Sequence, residues 1–324
     1  MSTPSKGSET SEDSAQKRSS TMLRFLAKAT DVDYGDRIDG GHVLEWVDKA
    51  GYACASEWSG RYCVTAFVGD IRFTKPISVG ELVEIEARIV HTGRSSMHIF
   101  ITVCSGDPRA ESLGETAQCL AVFIAVDDAG KPVPVPEWAP QTVLDQRLQL
   151  AARRRISVRA EVDAALAAQT YSDDTSAPRA LLRFLAAPTD VNWGGKVHGG
   201  KVMRWIDEAA FLCASQWTGQ QVVASRMDGI RFYRPILIGN MIEVHARLIH
   251  TEPNRMRISV HVRSADVRSG EGDVAAHALT VFVALGDDGS AKPVPQWAPV
   301  NDEDRRLDRH ALELAEVLRG VEVH

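Results

Sequence analysis

Residues 23–138 of this chain return as residues 182–297, and every matched pair is offset by 159 positions. Leu23-Arg-Phe-Leu-Ala27 reappears as Leu182-Arg-Phe-Leu-Ala186, Thr30-Asp-Val32 as Thr189-Asp-Val191, and Trp46-Val-Asp48 as Trp205-Ile-Asp207. Over 23–51 against 182–210, 15 of 29 positions are identical without a gap. Arg72/Arg231, Pro76/Pro235, Gly80/Gly239, His91/His250, Met97/Met256 and Trp138/Trp297 extend the match. The unit is far longer than a solenoid repeat, so each copy is expected to be a domain with its own core. Two such copies can form, within one chain, the twofold-like interface that a homodimer forms between chains. A site on that interface would draw residues from both halves.

Composition narrows the functional classes. A net charge of −6 over 324 residues gives no case for a nucleic-acid partner. No apolar run is long enough to span a bilayer. Residues 1–20 are rich in Ser, Thr and charge and have no apolar stretch, so a disordered arm is expected there, dispensable for folding and not a secretory leader. The five cysteines show no metal-ligand spacing. Cys54 and Cys213 are equivalent positions on one apolar helical pattern and read as small buried side chains in a reducing compartment.

Each copy has the same plan. An apolar-rich strand over 22–31 leads into a Gly-containing loop, 33–37. Gly40-Gly41 opens a helix to about Trp58, with Val43, Val47, Ala50 and Cys54 at helical spacing; Val202, Ile206, Ala209 and Cys213 repeat it. In 82–90, Val83, Ile85, Ala87 and Ile89 alternate with Glu84, Glu86 and Arg88, which predicts a strand with one buried face. Further strands are predicted over 97–104 and 117–126, and over 256–262 and 275–285. Pro76 and Pro235 mark strand breaks or edges. One helix followed by four strands with short connections implies an α+β fold in which an antiparallel sheet wraps a central helix. The expected boundaries are domains at 21–140 and 179–300, a partly helical connector at 141–178 and a C-terminal helix at 301–324.

Two aspartates, Asp48 and Asp207, stand within these apolar helices. One reading pairs each with a neighbour such as Arg72 or Arg231. The other makes one of them a desolvated general base or nucleophile. The Gly pairs, Gly40-Gly41 and Gly199-Gly200, fit either a tight turn or a helix N-terminus whose free N–H groups hold an anion or oxyanion. His198 precedes the second pair, and Asp39 takes its place in the first copy. No Ser/His/Asp signature, P-loop, GxGxxG or metal-ligand cluster is present.

As an ordered set these residues resemble the hotdog-fold acyl-CoA thioesterases, in particular the acyl-CoA hydrolases with two hotdog domains in one chain. The matching segments are Asp190-Val-Asn192-Trp-Gly-Gly195-Lys-Val-His198-Gly199-Gly200 and Ile206-Asp207-Glu-Ala209 in the second copy. In the first they are Phe73-Thr-Lys-Pro76-Ile-Ser-Val-Gly80-Glu81 and Gly93-Arg94-Ser95-Ser96-Met97. The resemblance implies tandem hotdog domains whose sheets join edge to edge, with the thioester between the halves. It implies hydrolysis of acyl-CoA to a free fatty acid and CoA with no metal or cofactor, a cytoplasmic location, and a homo-oligomer such as a trimer of double-hotdog chains. It places the helix Asp of one half against the Gly pair of the other. That gives His198-Gly199-Gly200 with Asp48, and Asp39-Gly40-Gly41 with Asp207. Asn192 matches a family Asn, and Arg94, Ser95 and Ser96 match a turn expected to touch CoA. Lys196 and Arg37 stand where the family has a further Asn, and the second copy replaces the turn with Glu252-Pro-Asn-Arg-Met256. Asp48 is expected to matter more than Asp207, because its facing helix start keeps more of the pattern while Asp33 and Asp39 add charge at the other. Two alternatives stay open: a non-catalytic acyl-CoA-binding protein, and a hydratase or dehydratase on the same fold.

Overall fold

The helices that read as apolar on most of their surface end up inside the sheet. The computed structural model describes residues 19–32, 37–167, 169–172, 175–192, 194–286 and 288–319. Residues 1–18 of the expected N-terminal arm and 33–36 of the first loop lie outside them. In chain order the first half comprises β1 (Ser20–Leu26), β2 (Arg37–Ile38), α1 (Gly40–Ser59), β3 (Tyr62–Phe73), β4 (Ile77–Ser78), β5 (Leu82–Thr92), β6 (Ser96–Gly106) and β7 (Gly114–Val126). The long helix α2 (Val143–Ala167) connects it to the second half. There follow β8 (Arg179–Leu185), α3 (Gly199–Thr218), β9 (Val222–Phe232), β10 (Met241–Glu252), β11 (Arg255–Ala265), β12 (Gly272–Leu285), β13 (Ala291–Lys292) and α4 (Asp302–Arg319). Among the described residues, no helix is long and apolar enough to cross a membrane.

β2 and β4 pair with each other, and the remaining strands form one antiparallel sheet in the order β1-β5-β6-β7-β3-β9-β12-β11-β10-β8, with β13 beside β12. The halves meet where β3 pairs with β9, at Phe67↔Arg231, Val68↔Ile230, Ile71↔Met227 and Arg72↔Arg226. Adding 159 to one member of a pair and subtracting it from the other turns Phe67↔Arg231 into Arg72↔Arg226, and Val68↔Ile230 into Ile71↔Met227. The register maps onto itself when the copies exchange, as a pseudo-twofold axis between the central strands requires.

Local chemistry fixes the helix ends. Asp39 caps α1 by accepting the His42 N–H at 2.9 Å, and α1 stops at Gly60, which is left-handed at φ 65°. Gly219 stops α3 in the same way. The predicted face of β5 is buried at Val83, Ile85, Ala87 and Ile89, and α1 buries Val43, Val47, Ala50 and Cys54 against the sheet. Helix and sheet are so close that a Cβ on Gly51 would lie 2.5 Å from the Phe123 ring.

Two local readings are corrected. The strand expected over 22–31 stops at Leu26, and Ala29–Asp31 form a 3-10 turn closed by the Lys28 N–H donating to the Asp31 carboxylate. Sequence patterning gives no strand at β3 or at its copy β9, the two that join the halves. The pairing of β3 with β7 is interrupted twice, between Thr65 and Phe67 and between Gly69 and Arg72, so β3 has no sustained alternation to read.

Candidate active site

The two helices start against each other, and this is what the Gly pairs serve. None of Gly40, Gly41, Gly199 and Gly200 has a positive φ, so backbone freedom at a turn is not the reason for them. A Cβ on Gly200 would lie 2.9 Å from the Cα of Glu45, and one on Gly41 would lie 3.1 Å from the Cα of Arg204. A Cβ on Gly199 would lie 2.9 Å from Thr65 Oγ1 and 3.1 Å from Asp48 Oδ2. Side chains here would push the partner helix and its carboxylate away.

This contact delivers each helix aspartate to the other half's helix N-terminus. Gly200 donates its N–H to Asp48 Oδ2 at 2.8 Å, and Gly41 donates to Asp207 Oδ2 at 2.9 Å. The bonds are copies of one another under the 159-residue offset. Asp48 has two further partners. Thr65 donates its hydroxyl to Oδ1 at 2.6 Å, and His198 Nδ1 lies 2.7 Å from Oδ2. Nδ1 also lies 3.2 Å from the Gly200 nitrogen, but a ring nitrogen that donates to Asp48 cannot accept there, so the shorter contact decides the tautomer. The expected pairing with arginine therefore does not describe Asp48, whose partners are a hydroxyl, a backbone N–H and an imidazole.

Burial alone would make the His198 imidazolium costly. The hydrogen bond to Asp48 and its charge outweigh that, and the imidazole pKa is raised. At the first helix start, burial pushes the Asp39 carboxyl up, but bonds from the His42 backbone and ring overcome it and leave its pKa lowered. Between the sites, Glu45 of α1 takes Lys201 Nζ at 2.9 Å and Arg204 at 3.4 Å, both from α3. Glu45 is likewise opposed by burial and held below its usual range by these cations. Glu45 and Arg204 are equivalent positions, so opposite charges meet across the pseudo-twofold axis.

Each aspartate opens on a cavity drawn from both halves. That of Asp48 measures about 270 Å³ and takes Tyr52, Thr65 and Ile124 from the first half and Asn192, Lys196, His198 and Gly199 from the second. That of Asp207 measures about 520 Å³ and takes Arg37, Asp39, Gly40 and Phe73 from the first half and Phe211, Ala224 and Val283 from the second. Gly199 and Gly40 line the cavities, whereas Gly200 and Gly41 do not. As the first residue of α3, Gly199 has no acceptor within the helix for its N–H. The Gly pair thus divides its work: Gly200 holds the carboxylate and Gly199 faces the cavity.

Asn192 lines the Asp48 cavity, but its Oδ1 is occupied by the N–H groups of Gly194 at 2.9 Å and Lys196 at 3.1 Å, so it shapes the loop. Arg94, Ser95 and Ser96 lie at the turn from β5 to β6 and line neither cavity. The register nevertheless sets Ser96 opposite Ile124, a wall of the Asp48 cavity, while the divergent turn sets Met256 opposite Phe282 at the Asp207 cavity. The turn of the first copy therefore lies beside a wall of the Asp48 cavity without lining it. Thr65 was missed by sequence reasoning. The signal was a Thr65/Ala224 difference between the copies, on a strand whose repeat is faint. Asp33 lies outside the described residues.

The thioesterase superfamily model matches residues 38–112 and again 194–271. A cytosolic acyl coenzyme A thioester hydrolase of Mus musculus is 26% identical over 309 residues, covering 88% of this chain and 79% of that protein. An apo-hexameric acyl-CoA thioesterase of known structure is 30% identical, covering 47% of this chain and 96% of that one, with a TM-score of 0.43. An acyl-ACP thioesterase from Bacteroides thetaiotaomicron matches 82% of this chain and 98% of its own with a TM-score of 0.53 at 13% identity, a likeness of fold.

Proposed function

This chain belongs to the thioesterase superfamily, with two copies of the domain in one polypeptide, and we propose that it hydrolyses acyl-CoA to a free fatty acid and CoA in the Asp48 cavity. The observation that carries this reading is the pairing of a fixed carboxylate from one half with a helix-start N–H from the other that has no acceptor within its own helix, on the wall of the same cavity. Thr65 holds Oδ1, while Gly200 and His198 hold Oδ2, so the carboxylate needs little reorganisation during reaction. Oδ1 keeps an open lone pair for a water. Asp48 takes a proton from that water as its oxygen attacks the thioester carbonyl. The carbonyl oxygen becomes an oxyanion that the Gly199 N–H receives, aided by the positive end of the α3 dipole. Collapse of the tetrahedral species breaks the C–S bond and releases the CoA thiolate, which takes up a proton.

The Asp207 cavity has the same backbone frame and fewer of the parts. Ala224 stands where Thr65 does, and Asp39 replaces His198 with a carboxylate at the helix start. Negative charge there opposes an oxyanion. The relative named cytosolic and the five free cysteines support a cytoplasmic location.

Free-thiol release from a panel of acyl-CoAs of increasing chain length tests the reaction; a wild-type protein that binds but never releases thiol leaves the binding-protein reading. Single turnover in ¹⁸O-water tests the role of Asp48. Label in the Asp48 carboxylate makes it a nucleophile whose anhydride water opens at the Asp48 carbon, whereas label confined to the fatty acid with no acyl-enzyme trapped by hydroxylamine supports a general base.

A further inference from the structure

The Asp48 cavity is too small for a whole acyl-CoA. At about 270 Å³ it has room for the thioester and adjoining chain, which leaves the phosphate-bearing nucleotide of CoA at or beyond its rim. Something at the rim must then distinguish a CoA ester from a thioester without phosphates.

Lys196 is placed for this. Its backbone is fixed on two sides: Asn192 Oδ1 accepts its N–H at 3.1 Å, its carbonyl accepts the Asn192 N–H at 2.6 Å, and a bridge ties it to Leu237. From this anchored loop the side chain crosses to the first half, where a Cβ on Gly130 would lie 3.5 Å from Nζ. Residues 127–130 are exposed, so the ammonium sits at the mouth of the cavity. It is not among the partners of Asp48, which are Thr65, Gly200 and His198. Asp127 of the same turn already receives the N–H groups of Ala129 and Lys131.

The repeat supplies an independent argument. Lys196 corresponds to Arg37, and Arg234, also on the Asp48 cavity, corresponds to Lys75 on the other. At both positions the side chain has changed between copies and the charge has not. A requirement for shape or for one hydrogen-bond geometry would not survive a Lys-to-Arg exchange in both directions, whereas a requirement for a cation near an anionic ligand does. Arg234 is ion-paired with Asp273 and Lys75 donates to the Ser105 carbonyl at 2.7 Å, so that pair also serves contacts within the protein, and Lys196 is the more available cation of its cavity.

We propose that Lys196 is a specificity residue that recognises a phosphate of the CoA moiety at the mouth of the Asp48 cavity. The inference rests on the acyl-CoA reading above. An ammonium is a strong point-charge partner for phosphate, and it acts on the part of the substrate remote from the reacting carbonyl.

The test compares one acyl group on CoA and on pantetheine, which carries the same thiol end without phosphates. In Lys196→Gln, the ratio of kcat/KM for the CoA ester to that for the pantetheine ester should fall about tenfold, through KM for the CoA ester. Lys196→Arg should keep most of the ratio, and raising the salt concentration should erode it more in the wild type than in Lys196→Gln. Equal losses on both esters would place Lys196 at the reacting carbonyl and overturn the proposal, as would no loss on either. Isothermal titration of free CoA into wild type and Lys196→Gln separates this inference from the hydrolysis reading. If the wild type turns over neither ester, CoA binding that weakens about tenfold in the variant upholds the phosphate contact while the hydrolysis reading falls. CoA binding equal in both proteins overturns the contact whatever the turnover.

Discussion

The two cavities are built on one backbone plan and differ in what the side chains add to it. In both, a helix aspartate accepts an N–H from the opposite helix start, at 2.8 Å for Asp48 and 2.9 Å for Asp207. Only at Asp48 do Thr65 and His198 add a hydroxyl and an imidazole. The equivalent positions hold Ala224 and Asp39, the first unable to donate and the second negatively charged. The larger cavity is the one at Asp207, about 520 Å³ against about 270 Å³, so the proposal that Asp48 works rests on Thr65 and His198 and not on volume.

The most severe way to break the contrast is at the carboxylates. Asp48→Asn should lower kcat by about a hundredfold or more, as for loss of a general base. Asp207→Asn should stay within a few-fold of wild type in the same thiol-release assay. The opposite outcome would exchange the roles of the cavities. Removing one donor asks how much of the difference it carries. Thr65→Ala gives Asp48 the surroundings that Ala224 gives Asp207, and kcat should fall about tenfold, the size of one lost hydrogen bond of ~1.4 kcal/mol. The reverse construction sharpens the comparison. In an Asp48→Asn background, Asp39→His with Ala224→Thr should raise turnover several-fold above that background, because both missing donors are restored to a frame that already holds Asp207. No gain would show that another difference, such as cavity shape, silences that site.

The smallest expected effect is on stability, and it has opposite signs for the two charged groups at the helix contact. The folded pKa of His198 is raised, so its contribution is fully present below the unfolded value near 6.5 and is lost as pH rises through the folded value. Thermal denaturation should show wild type above His198→Gln by about 1 kcal/mol at pH 6, with the gap narrowing as pH rises. The folded pKa of Glu45 is lowered, so its contribution is present above the unfolded value near 4.5 and is lost as pH falls through the folded value. The gap between wild type and Glu45→Gln should therefore close on acidification. A gap for either variant that moves the other way with pH would contradict the ion pairing drawn here.

The sequence by itself determined whatever depends on neighbours along the chain. The period of Val43, Val47, Ala50 and Cys54, the alternation of Val83 to Ile89, and the helix-breaking glycines each act over a few residues, so α1, α3 and β5 were legible from their patterns. The repeat added one non-local conclusion, that the halves face each other about a pseudo-twofold axis, and the β3–β9 register agrees with it. What the chain could not state is which atoms meet. The Gly200–Asp48 bond spans 152 positions and the Gly41–Asp207 bond 166, and no local pattern encodes either. Thr65 lies on a strand broken by bulges, where neither period nor repeat singles it out. The approach of Gly199 to Asp48 arises only when the halves pack, because the helix crossing brings them together. Periodicity is a property of one element and can be read along it; a hydrogen-bonded site is a property of distances between elements, and those are set by packing.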